Sequence, residues 1–133
     1  MTRLRPIGFF RELPHGSPEG SSLRDSLQTV PADFEAEAVS YLRGAVILAI
    51  APMLNRDVFN HGHILGALEV LTDGTWYWPS DLSYYVEKYH CRLPEDFMAH
   101  MRNLNWKPPQ EEEIDIAAID AEFATNSEII DAE

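Results

Sequence analysis

The run Thr72-Asp73-Gly74-Thr75-Trp76-Tyr77-Trp78-Pro79 restricts the fold more than any other part of the chain. Asp-Gly between an apolar and an aromatic run is a strong hairpin signal, because a two-residue type I′ turn needs positive φ at both central positions. It predicts a strand from Ile64 to Thr72 that returns as Thr75 to Trp78 and stops at Pro79. Trp76 and Trp78, two residues apart, project from one face of such a strand and Tyr77 from the other. Beyond Ser80, a good helix cap, Leu82, Tyr85, Val86 and Tyr89 recur at i, i+3, i+4 and i+7, with Asp81 in the first turn. The two tryptophans, Tyr85 and Tyr89 are expected to close the hairpin onto this helix and supply much of the apolar burial.

The remaining elements follow from the same kind of pattern. Residues 1–20 hold Pro6, Gly8, Pro14, Gly16, Pro18 and Gly20, so they read as an extended arm with turns, anchored by Phe9, Phe10 and Leu13. Ser21 or Ser22 is placed to cap a short helix through Gln28. A longer helix opens near Pro31 and Asp33, carries Phe34, Ala38, Tyr41 and Leu42 on one face, and is expected to end on a left-handed Gly44. Ala45 to Ala51 is apolar without alternation, the pattern of a strand covered on both faces, so it is expected at the centre of the sheet. Residues 52–62 read as a connection. Leu93-Pro94 starts a last helix with Phe97, His100, Met101 and Leu104 on one side. The expected fold is α+β: a small antiparallel sheet of about three or four strands with helices on one face, in a single domain over 21–109.

Charge is unevenly spread. Of 22 acidic and 10 basic side chains, nine acidic and no basic ones lie in residues 110–133, so this segment carries −9 of the net −12. Lys107-Pro108-Pro109 marks its boundary, since proline cannot continue a helix. Ile116, Ile119 and Phe123 fall at helical spacing, so the tail is either an acidic amphipathic helix or a solubilising extension. This balance argues against nucleic acid and anionic membrane surfaces as partners and for a basic protein. One cysteine, Cys91, permits no internal disulfide, and the longest apolar run, Ala45 to Leu54, contains Pro52 and is half the length of a membrane span. A cytoplasmic protein, monomeric or homodimeric, is expected.

No Gly-x-Ser-x-Gly, phosphate-binding loop, dinucleotide fingerprint or His-Glu-x-x-His occurs, so no catalytic residue, metal ligand or cofactor is assigned. The alternative is a small metal-dependent hydrolase in which His61 and His63 share a strand face and His90, Cys91, Asp57 or Asp81 complete the ligand set by folding. Residues 76–89 hold two tryptophans and four tyrosines. Tyr77 and Tyr84, opposite the core positions by periodicity, are the ones expected at a partner surface, where exposed tyrosine is enriched. With Asp81 and the tail carboxylates Glu111, Glu112, Glu113 and Asp115, they form the expected partner-binding set.

The stretch Asp73-Gly74-Thr75-Trp76-Tyr77-Trp78-Pro79-Ser80-Asp81-Leu82-Ser83-Tyr84-Tyr85 resembles small uncharacterised bacterial cytosolic proteins that share a DGxWxWPxDLxYY hairpin and helix. Continued through Tyr89-His90 and Leu93-Pro94-Glu95-Asp96-Phe97, the match covers about a quarter of the chain. A compact acidic α+β body without a catalytic motif is similar in class to immunity proteins that neutralise a cognate toxin, and the long acidic tail departs from that pattern. The acidic balance, the absent catalytic motifs and the aromatic block lead to the expectation of a non-enzymatic binding module, of immunity or inhibitor type, that occludes a basic partner such as a toxin. A structural subunit of a larger complex, paired through the edge of the hairpin sheet, is the remaining expectation.

Overall fold

The computed structural model describes residues 4–119 and residue 121. The fold is α+β, with a four-stranded sheet in the order β1-β4-β3-β2. The strands are β1 (Arg5–Pro6), β2 (Val46–Asp57), β3 (Asn60–Thr72) and β4 (Trp76–Pro79). The helices are α1 (Leu23–Ser26), α2 (Glu35–Gly44), α3 (Leu82–Tyr89) and α4 (Glu95–Asn103). A 3₁₀ turn, Glu111–Glu113, follows them. No helix among the described residues is long and apolar enough to cross a membrane.

The hairpin of β3 and β4 forms, and its tryptophans point inward as their spacing requires. Trp78 is sealed against α2, its indole N–H donating to the Leu42 carbonyl at 3.1 Å. Phe97 of α4 lies between the two indoles, with ring centroids 5.0 Å from Trp76 and 5.6 Å from Trp78. Ala38, Tyr41 and Leu42 of α2, Leu82, Tyr85 and Val86 of α3, and Phe97 and Met101 of α4 are buried as their spacing requires, but Phe34, expected on the same face of α2, caps that helix in a left-handed conformation and is 46% exposed. Tyr89 is only partly covered and packs at the margin of this core.

The turn is not the expected I′ type. Gly74 has φ +92°, but Asp73 does not have positive φ. Instead the buried Asp73 carboxylate folds back on its own loop, accepting the N–H groups of Thr75 at 2.9 Å and Trp76 at 2.7 Å. Its second oxygen accepts from Tyr41 at 2.6 Å and lies 3.0 Å from the His100 ring nitrogen, tying the turn to α2 and α4. Asp-Gly was thus a correct turn signal, with a side-chain anchor that the dipeptide alone does not reveal.

The run from Ala45 to Ala51 is not a central strand. Among the described residues, strand β2 lies at the sheet's edge and pairs only with β3. No side chain of Val46–Ala51 is buried; the run lies half-covered or exposed along the edge, and its composition cannot be distinguished by periodicity from that of a doubly buried strand. The expected connection over 52–62 is likewise absent: β2 continues to Asp57, turns at Val58 and Phe59, and β3 starts at Asn60. Pro52 is tolerated there because the pairing is irregular between Ala51 and Leu54 and the strand's other side has no neighbour among the described residues. Gly44 closes α2 without positive φ, whereas Phe34 and His90 adopt left-handed conformations at the ends of α2 and α3.

The N-terminal arm is part of the body. Strand β1 adds to β4 in parallel, so the sheet is mixed, and Ile7, Phe10 and Leu13 enter the core. Glu12 reaches the start of α1 and accepts from the Leu23 and Arg24 N–H groups and the Ser22 hydroxyl at 2.7–3.0 Å. The tail also runs along the body before the described residues end. Gln110 donates to the Gly44 carbonyl, Ile114 lies against Gly74, and Asp115 accepts the Ala118 N–H to open a helical turn over 116–119. Phe123 lies outside the described residues.

Candidate functional site

Residues facing each other across an antiparallel pair share a sheet face. Ile47 faces Leu71, Ile50 faces Glu69 and Leu54 faces Ala67, so the three apolar side chains of β2 form a stripe beside β3. Ile50 and Leu54 are 65% and 61% exposed, and Ile47, Met53 and Ile64 are also uncovered. Contiguous exposed apolar patches on soluble chains commonly mark interaction sites. The 12-residue strand beneath it has no neighbour on its outer side among the described residues, leaving main-chain donors and acceptors for another chain to pair with. The acidic 3₁₀ turn, fully exposed at Glu111, Glu112 and Glu113, is fixed beside Gly44, two residues before β2 begins.

Next to the stripe, between the β2–β3 hairpin and the start of α3, is an open groove of about 390 Å³. Asn55, His63, Ile64, Glu69, Ser80 and Asp81 line it, together with Arg43, Ser83 and Tyr84. The Asp81 carboxylate is buried behind this lining, 3.0 Å from the His15 ring nitrogen, without the alignment of a hydrogen bond. This contact joins the N-terminal arm to α3. Arg43 is held by Glu87 at 3.1 Å and by the Ser83 hydroxyl at 3.2 Å.

A second polar cluster lies at the hairpin tip. Asp57 is buried, and one of its oxygens accepts the hydroxyls of Tyr84 and Tyr89, both at 2.6 Å, while the other accepts the Phe59 N–H at 2.7 Å. Burial alone would raise its pKa, but the two phenols and the backbone N–H groups together hold the carboxyl below its ordinary value. Burial and the Asp57 charge push Tyr84 upward, and the Asp57 hydrogen bond with burial does the same to Tyr89. All three groups are therefore fixed in their ordinary neutral-pH states, a phenol pair on a carboxylate. The cluster pins α3 to the hairpin.

The expected binding residues divide accordingly. Tyr77 is half-buried with its ring 5.4 Å from Phe9 of the arm. Tyr84 is half-buried, stacked against His63 and bonded to Asp57. Asp81 faces His15 and is not presented to solvent. Glu111, Glu112, Glu113 and Asp115 are exposed. The ligand set of the metal-dependent alternative does not assemble. His90 bonds to Glu35, Asp57 to the tyrosines, and Cys91 is buried with its thiol pushed up to about 12. No group of three His, Cys, Asp or Glu residues is placed to hold a metal among the described residues. Sequence reasoning missed Ile47, Ile50, Leu54, Asn55 and Glu69 as surface and groove residues. Pro52 was the available signal, because proline inside an apolar strand marks an edge.

No protein-family model, curated protein or solved structure matches this chain.

Proposed function

We propose that this chain is a non-enzymatic protein-binding module of inhibitor or immunity type, occluding a basic surface of a partner such as a toxin. The observation that carries it is the uncovered apolar stripe of Ile47, Ile50 and Leu54 on an unpaired edge strand, with the acidic Glu111–Glu113 turn at one end. An apolar centre beside a charged margin is the composition of a protein interface, with the centre slowing dissociation and the charge speeding encounter. The binding set is moved from the tyrosines to β2, and the tail carboxylates keep the role expected of them.

The test is surface-immobilised capture of the purified products of neighbouring genes, comparing the natural chain with Ile50→Lys and with a Glu111/Glu112/Glu113→Gln triple variant. Ile50→Lys is expected to weaken capture at least tenfold through faster dissociation, and the triple variant to slow association with little change in dissociation. Equal capture by all three chains would refute the reading. If light scattering instead shows a dimer that Ile50→Lys dissolves, the stripe covers a second copy and the chain is a structural subunit.

A further inference from the structure

Asn55 is 5% exposed, yet its carboxamide makes no hydrogen bond with any described residue. The carboxamide atoms are not sealed from solvent, so a group entering the groove meets an unpaired donor and acceptor there. Asn55 lines the groove. Glu69, half-buried on the same lining, likewise has a carboxylate with no hydrogen bond or ion pair among the described residues. Asn55 faces Gly66 across the ladder, three residues from Glu69 on β3, about 10 Å along the strand. Both residues are on the lining of this one groove.

We infer that the groove is a receptor for a guanidinium group, the head of an arginine side chain from the bound partner. Glu69 supplies the charge and a two-oxygen acceptor for the guanidinium fork. The Asn55 carbonyl oxygen accepts a further N–H, and Ile64 and Leu65 on the lining cover the aliphatic stem. Arg43, the lining's own cation, does not oppose this, because Glu87 and the Ser83 hydroxyl already hold its guanidinium. Asp81, behind the lining, adds negative potential, although the His15 ring stands against it. An anion finds no comparable site here, since the unpaired charge on the lining is a carboxylate. The source of the guanidinium rests on the protein-binding reading above; its recognition by Asn55 and Glu69 does not.

The experiment uses the full ¹⁵N-labelled chain and two probes, N-acetyl-arginine-N-methylamide and its neutral isostere N-acetyl-citrulline-N-methylamide. The arginine probe is expected to shift the Asn55 side-chain amide and the Glu69 backbone resonances saturably. Glu69→Gln should weaken that response at least fivefold with the rest of the spectrum unchanged, as the substitution leaves the main-chain bonds of Glu69 to Ser80 in place and its side chain makes no hydrogen bond to another described residue. An unsaturable drift, or an equal response to citrulline, overturns the inference. Saturable binding of the probe without capture of any partner would support the groove and remove the protein-binding reading. Capture of a partner without saturable probe binding would do the reverse.

Discussion

Replacing Asp57 with asparagine keeps its shape and removes the charge to which two phenols donate. Asp57→Asn is expected to cost about 2–4 kcal/mol in urea unfolding, since hydrogen bonds to a charged group contribute about 1.5–3 kcal/mol each and the hydroxyls are left partly unmatched. Tyr84→Phe and Tyr89→Phe should each cost less, and the double variant less than their sum, because both act through one oxygen. Glu12 predicts a pH dependence. Although burial opposes it, the Arg24 and Leu23 N–H groups and the Ser22 hydroxyl bring its pKa from 4.5 down to about 2 in the folded chain. A group whose folded value is depressed stabilises above its unfolded value and loses that contribution as pH falls through the folded one. The stability difference between the natural chain and Glu12→Gln is therefore expected to be full above about pH 5 and to fade between 4.5 and about 2. A difference that stays constant over that window would contradict the capping role.

Among the elements, β2 decides what the molecule presents. Its pairing with β3 is interrupted where Pro52 sits, and this break, with the missing N–H, keeps the edge from offering a continuous ladder. Pro52→Val is expected to raise the mass-average size in concentration-dependent light scattering relative to the natural chain. An unchanged profile would show that the proline does not guard the edge. The helices were legible because their apolar residues recur at helical spacing and each meets a covered surface, as with Leu82, Tyr85 and Val86. Strand β2 was misplaced because Val46 to Ala51 has the composition of a buried strand, and composition does not record whether a second layer arrives. The candidate site was hardest to read for that reason: Asn55 reads as a residue of a connection and Glu69 as an ordinary strand polar residue until the hairpin folds over α3.

For the molecule as a whole, charge and shape act at different ranges. Removing residues 111–133 takes away nine of the 22 acidic side chains and no basic ones. The truncated chain is expected to bind a basic partner with an association rate that is slower at low salt and nearly independent of sodium chloride, while the full chain's rate falls steeply as salt screens it. Equal salt slopes for the two chains would separate the tail from recognition. Truncation also uncovers Gly74 by removing Ile114, so a small loss of stability should accompany it.

The order of residues by itself determined the hairpin, the three longer helices and the inward direction of Trp76, Trp78, Tyr85 and Phe97, because backbone periodicity and turn chemistry are local properties. It also determined the acidic end, which needs only counting. Tertiary structure alone decided that Tyr84 turns to Asp57, that Asp81 meets His15, and that Ile50 and Leu54 stay bare. Those outcomes depend on which surfaces the chain brings together from distant positions, and whether a side chain ends up covered is a property of its neighbours rather than of its own chemistry.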